Sequence, residues 1–209
     1  MSASSSAAAH WDAVYAAKQP EQMSWTRPTY ATSLRLIAPV PGAVVDVGSG
    51  VGALVDELLA AGRDDVTVLD VSAEALERVR ARVSPLAAQR QAHVETVVSD
   101  VLAWRPDRPR AVWHDRAVFH FLTDPAHQQA YAALTATAVL PGGCVVLGCF
   151  APDGPEACSG LPVSRWSADA LADHFGEHGF SLEHSEREVH TTPWAADQPF
   201  TWVRLRRDG

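Results

Sequence analysis

The sequence predicts an α/β protein: a doubly wound, mostly parallel sheet with helices on both faces. Three observations carry that expectation. The stretch Val44-Val45-Asp46-Val47-Gly48-Ser49-Gly50-Val51-Gly52 passes from an apolar run into glycines spaced G-x-G-x-G, and a helical pattern follows with Leu54, Val55, Leu58 and Leu59 on one face. Strand, glycine turn and helix form the opening unit of such a fold. A second apolar run, Val66 to Leu69, ends in Asp70, 70 − 48 = 22 positions after the first glycine, near the rough 20 expected of a ribose-binding carboxylate. Strand patterns separated by helical ones then continue to a total of seven.

Glycines in the turn permit backbone angles closed to other residues and remove Cβ atoms that would block a ligand. The helix that follows points free N–H groups at whatever lies on the turn. The order D-x-G-x-G-x-G differs from the dinucleotide fingerprint G-x-G-x-x-G. With Asp70 it resembles the first two motifs of class I S-adenosylmethionine (SAM)-dependent methyltransferases. The resemblance implies a Rossmann-like sheet of seven strands with the last antiparallel, and SAM as cofactor. The cofactor-binding set it implies is Trp25, Asp46, Gly48, Ser49, Gly50, Gly52, Asp70, Val71, Asp100, Val101 and Arg116. A nicotinamide-binding domain is the alternative, and cofactor titration discriminates.

Before the first strand, His10 to Ala17 reads as a short amphipathic helix carrying Trp11, Val14 and Tyr15. Lys18 to Pro28 is a loop with Trp25, and Thr29 to Ile37 is helical, stopping before Pro39. These aromatics either form a lid or cover the sheet edge. The order Trp11-Asp12, Tyr15, Ser24-Trp25, Ser33-Leu34 resembles the leader of small methyltransferases, which implies a lid (residues 10–38) over SAM and the acceptor. After the second strand, Ala73 to Val83 is a helix with Ser72 as N-cap and Pro85 beyond its end. His93 to Val98 alternates as a strand and ends at Ser99-Asp100. By the resemblance, Asp100 reaches the adenine amino group, while Val101 and Leu102 supply an N–H and apolar cover. Ala111 to His114 is the fourth strand. Pro125 to Val139 is a helix with proline in its first turn. Pro141-Gly142-Gly143 is a turn, and Cys144 to Phe150 is the fifth strand. Ala151 to Arg165 is a long Pro/Gly-rich loop of the kind that is usually functional, expected to wall the acceptor site with Cys158 and Leu161. Ala168 to His178 is the last helix, and Phe180 to His190 and Phe200 to Arg206 are the last strands.

The 209 residues suit one domain spanning 10–209, and the apolar fraction of 47% fits a globular core. A net charge of −8 disfavours tracking a nucleic-acid backbone. Arg105, Arg108 and Arg110 are interrupted by Pro106 and Pro109 and read as a solvated loop. Cys144, Cys149 and Cys158 lack C-x-x-C spacing, so neither a disulfide framework nor a metal site is expected. Reduced thiols point to a cytoplasmic protein. Residues 1–9 are Ser/Ala-rich, with neither a basic n-region nor a long apolar h-region, and read as a disordered tail. No apolar run spans a bilayer. A monomer or weak homodimer is expected.

SAM carries its methyl group on a sulfonium and is already activated, so orientation of the partners matters most. A base is needed only for an acceptor protonated at neutral pH. Catalytic candidates are His114, Asp115 and His120. Each histidine has a plain alternative, His114 as a strand residue facing a helix and His120 as a core residue. Arg116 either binds an anionic acceptor or pairs with a surface acid. Trp113 to Ala117, with Tyr131-Ala132 later, looks distantly like thiopurine and other thiol methyltransferases, which implies a small-molecule acceptor, a thiol or another soft nucleophile. No Asn-Pro-Pro-Tyr type of motif marks base methylation. Protein lysine methylation and a non-catalytic SAM-binding protein are the other readings.

Overall fold

The computed structural model describes residues 3–19 and 22–209. Met1 and Ser2 of the expected tail, and Pro20 and Glu21 of the expected loop, lie outside the described residues. Helices α1 (Ala3–Ala17) and α2 (Ala31–Ile37) precede the sheet. Then come β1 (Val44–Val47), α3 (Leu54–Ala60), β2 (Asp65–Asp70), α4 (Ala73–Arg90), β3 (His93–Val98) and β4 (Arg110–Arg116). A 3-10 turn, Phe119–Phe121, leads to α5 (Pro125–Ala138) and β5 (Val139–Phe150). A two-stranded hairpin, β6 (Ala157–Cys158) and β7 (Leu161–Pro162), is followed by α6 (Ala168–Gly176), β8 (Phe180–Thr191) and β9 (Asp197–Arg207).

The main sheet has seven strands in the order β3-β2-β1-β4-β5-β9-β8. Pairings from β3 through β5 are parallel, and β9 runs antiparallel to both β5 and β8. The fold is therefore the expected one. Strand β1 is buried on both faces, which is why it reads as an unbroken apolar run. Alternate residues serve two cores. Val44, Val66, Val68, Val112 and Val146 pack with Leu36, Leu58 and Leu76 of α2, α3 and α4. Val45, Val47, Trp113, Val145 and Leu147 pack on the other face with Tyr131 and Phe175 of α5 and α6. The chain reverses its winding between β1 and β4, and the carboxyl ends of those strands open the crevice where such sheets bind ligands.

Several expected boundaries shift. Residues 3–9, expected as part of a disordered tail, continue α1, because the alanine-rich run favours helix and the helix is anchored by its docked end. Pro85 lies inside α4, not beyond it. Proline removes the amide that would bond the Ala81 carbonyl, while the Ser84 hydroxyl donates to the neighbouring Arg80 carbonyl at 2.6 Å; the helix ends instead at Gln91, at φ +55°. Strand β4 extends to Arg116, so Asp115 and Arg116 are strand residues on opposite faces. Pro141-Gly142-Gly143 is a bulge within β5: the register jumps from Arg110 opposite Val139 to Val112 opposite Cys144. Inside the 151–165 loop, Ser159 and Gly160 both have positive φ (+50° and +77°) and turn the small hairpin tightly. No helix among the described residues is long and apolar enough to cross a membrane.

Candidate active site

A cavity of about 640 Å³ lies at the carboxyl ends of β1, β2, β3 and β4, roofed by α1 and the segment after it. The glycine turn forms its floor. Gly48 (φ +64°) and Gly50 (φ +53°) adopt left-handed backbone angles. A Cβ at Gly48 would come within 1.9 Å of Val118, one at Gly50 within 2.3 Å of the Tyr15 hydroxyl, and one at Gly52 within 2.6 Å of the Tyr30 hydroxyl. Gly48, Ser49 and Gly52 line the cavity; Gly50 does not. The expected reason for Gly50, room for a ligand, is therefore replaced by room for the leader's own tyrosine.

Asp70 stands at the end of β2 with its carboxylate on the cavity wall. It accepts from the Gly50 amide and the Ser72 amide, each at 2.8 Å. Burial nevertheless pushes its carboxyl up to about 6, because two amide donors do not replace the lost water. Each oxygen keeps a lone pair for a further donor. Val71, Asp100, Val101 and Leu102 continue the same wall. Asp100 Oδ1 accepts from the Leu102 amide at 2.9 Å, so that N–H is already committed.

On the far side of the turn, Asp46 and His114 sit opposite each other in the β1–β4 register. Asp46 Oδ1 accepts from His114 Nδ1 at 2.7 Å, and His114 Nε2 meets Ser33 Oγ at 2.9 Å. With Nδ1 facing a carboxylate, the proton of a neutral ring belongs on Nδ1 and Nε2 accepts from the serine hydroxyl. His114 also stacks on Trp202, ring centres 6.2 Å apart. It borders the cavity, with both nitrogens bonded inside the protein.

The other two catalytic candidates are not on the cavity lining. Asp115 points to the opposite face of the sheet, where alternation along β4 directs it. It accepts from the Val118 amide (2.8 Å), the Phe119 amide (2.9 Å) and the Tyr131 hydroxyl, and burial lifts its carboxyl to about 6. Its work is to shape the β4 exit that carries Val118 onto Gly48. His120 is enclosed by Phe121 and Phe150, with ring centres 4.5 and 4.7 Å away, and neither ring nitrogen has a partner. Burial drives its pKa down to about 3, so it is a neutral core histidine.

Arg116 and Trp25 do line the cavity. Arg116 donates from Nη1 to the Trp25 carbonyl at 3.0 Å and lies 5.1 Å over the Phe200 ring. Around them the leader builds an aromatic roof. Trp11 meets Trp25 and Phe121 edge-on, at 5.7 and 5.5 Å between ring centres. Asp12 Oδ1 accepts from Ser72 Oγ at 2.6 Å and fastens α1 to the β2–α4 turn. Cys158, Leu161 and Pro162 of the hairpin form the opposite wall. Sequence reasoning named Ser33 in the leader without its contact to His114, and missed Tyr30 and the pair Arg27–Glu188, which also engages Trp202 Nε1 at 2.7 Å. Glu188 lies 161 residues from Arg27, and no local pattern joins them.

A family model described as a methyltransferase domain matches residues 44–143, from β1 through the β5 bulge. Over that stretch the chain is similar to a methyltransferase domain. Among curated proteins none matches it in sequence. Solved structures do. A protein from work on the conversion of a disulfide bond into a thioacetal group during echinomycin biosynthesis is 25% identical, with a TM-score of 0.73 over 96% of this chain and 93% of that one. The 1,6-didemethyltoxoflavin-N1-methyltransferase of Burkholderia thailandensis, solved with its acceptor and S-adenosylhomocysteine (SAH), is 21% identical, with a TM-score of 0.74 over 100% and 92%. The N-methyltransferase NodS of Bradyrhizobium japonicum, solved with SAH, is 17% identical, with a TM-score of 0.67 over 86% and 85%. The latter two testify to the fold. Both of these hold bound SAH, the demethylated form of SAM. The donor set of this chain suits SAM: a buried carboxylate with spare lone pairs at Asp70, a second acid at Asp100, and a turn without side-chain bulk at Gly48. Among the described residues no cluster of three His, Cys, Asp or Glu forms a metal site.

Proposed function

We propose that this chain is a SAM-dependent methyltransferase that acts on a small-molecule nucleophile, with a thiol or another soft atom as the preferred acceptor. The observation that carries the reading is the cavity itself: it is walled by Trp11, Tyr15, Trp25, Tyr30 and Phe121 and roofed by the leader, a shape for a compact apolar body. Asp70 would accept bonds from ribose hydroxyls, Asp100 and Val101 would hold the adenine, and Gly48 and Ser49 would lie against the rest of SAM. When bound, SAM supplies an electrophilic methyl group and leaves as the neutral thioether SAH. The aromatic roof keeps water out and fixes the acceptor's approach.

A soft acceptor fits the state of the candidate bases. Asp115 and His120 are off the cavity, and His114 has both nitrogens engaged. Burial pushes the Tyr15 and Tyr30 phenols up, so both stay protonated at neutral pH and neither is available as a base. A thiolate needs no such help. Sulfur chemistry in the echinomycin-related neighbour supports the same preference. The test is purified protein with SAM against thiols, phenols, amines and basic peptides, reading SAH release. Turnover of small thiols above the other classes is expected. Turnover of basic peptides alone would refute the small-molecule reading, and amine or phenol turnover without thiol turnover would refute the soft-acceptor preference.

A further inference from the structure

Arg116 is a half-buried cation with unused hydrogen-bonding capacity. Its Nε and Nη2 are shielded from solvent and have no partner, and its single hydrogen bond is the one from Nη1 to the Trp25 carbonyl. Among the described residues no carboxylate lies within ion-pairing distance of it. The acid nearest in charge, Glu188, is already engaged by both terminal nitrogens of Arg27 and by Trp202 Nε1. Burial and the neighbouring Arg27 charge lower the guanidinium to about 10, which still leaves it protonated at neutral pH. An uncompensated charge out of water is costly, and the cost is recovered when an anion arrives to share both free donors.

The position of the cation says which ligand it serves. It packs on Phe200 of β9 and lines the cavity with Cys158, on the side away from Asp70. Arg116 stands on β4, two strand spacings from the β2 that ends in Asp70, about 10 Å at roughly 4.8 Å each, and its guanidinium reaches on to Phe200 of β9. Trp25, Tyr30 and Phe121 line the same cavity.

Resting on the methyl-transfer reading above, we propose that Arg116 is the anion-binding residue of the acceptor site, and that the acceptor is a planar, aromatic small molecule carrying a carboxylate or comparable anionic group. The guanidinium, whose Nε and Nη2 are closed to solvent, turns to present them as a fork to the two oxygens, while the ring lies among the aromatic walls. The negative net charge of the whole protein, −8, repels such a molecule at long range, so this local cation is what selects it.

The test is calorimetry on the full chain. SAH is titrated first; benzoate and its neutral isostere benzamide are then titrated into the SAH-saturated protein, for wild type, Arg116→Gln and Arg116→Lys. Benzoate is expected to bind wild type at least about tenfold tighter than benzamide, a difference of about 1.4 kcal/mol. Arg116→Gln should erase that preference and Arg116→Lys keep part of it, with SAH affinity held within about threefold. Circular dichroism checks that both variants fold, and the lysine variant carries the comparison if the glutamine one does not. Equal binding of the two probes to wild type, or a preference that survives Arg116→Gln, overturns the assignment. A collapse of SAH affinity in both variants also overturns it, by moving Arg116 to the cofactor. Absence of SAH binding to wild type defeats the methyl-transfer reading itself and is seen separately, in the first titration.

Discussion

On the proposed assignment of Asp70 to the ribose, SAH binding should depend on pH. Ribose hydroxyls donating to this carboxylate favour its ionised form, whereas in the free protein burial holds its pKa at about 6. Binding therefore requires the proton to leave. The apparent dissociation constant scales as one plus the ratio of protonated to ionised Asp70, so it is about tenfold weaker at pH 5 than at pH 7, or about 1.4 kcal/mol. Near pH 6 about half a proton is released per SAH bound, readable by calorimetry in two buffers of different ionisation enthalpy. Stability has the opposite trend. The folded pKa lies above the ordinary 3.8, so the native state binds more protons in that window and Asp70 lowers stability as pH rises from about 4 through 6. Asp70→Asn should flatten the affinity profile. It should also cost roughly 1–3 kcal/mol of stability, because one amide oxygen cannot serve both the Gly50 and Ser72 donors. Affinity in wild type that is level from pH 5 to pH 7, with no proton release, would refute the assignment of Asp70 to the ribose.

Three more outcomes are expected. Tyr131→Phe leaves Asp115 Oδ2 and Trp113 Nε1 each short of a partner; it should lower stability by roughly 1–3 kcal/mol in urea melts while sparing SAH affinity, and an equal loss of SAH affinity would contradict the separation of Asp115 from the site. Gly50→Val places a side chain at φ +53° against the Tyr15 hydroxyl; α1 should exchange its amides faster in the variant, and unchanged exchange would mean the contact is not formed. Adding SAH to wild type should slow exchange across α1, since Trp11 and Tyr15 border the cavity; exchange indifferent to SAH would reduce the leader to edge packing.

What the sequence made legible was local. Asp46 to Gly52 and Asp70 are read from a strand, a turn and a spacing, and all lie within one β-α-β unit. Asp115 and Arg116 were harder. A strand expected to end at His114 runs two residues on, and period-two alternation then sends Asp115 to the α5 face and Arg116 to the cavity. His120 sits in a short 3-10 turn whose burial depends on Phe150, thirty positions away, and nothing near it in sequence announces that. Proline in α4 misled because Pro85 was read as a stop, whereas packing of Val79, Val83 and Ala87 along one face carries the helix past it. The Ser33–His114–Asp46 contacts join residues 81 and 68 positions apart and are visible only in three dimensions.

The tyrosines resting on the glycine turn bear on how this protein can be rebuilt. Tyr15 and Tyr30 come from two separate leader helices or their edges, yet each occupies the space that a side chain at Gly50 or Gly52 would need. Leader and turn are thus complementary halves of one mould. A chimera that imports another enzyme's leader, to change which molecules enter, must bring residues at 15 and 30 no larger than tyrosine and aimed the same way. A bulkier graft would press on the turn and disturb cofactor binding before any new acceptor was reached, so productive exchanges would move residues 3–37 and 48–52 as a single cassette.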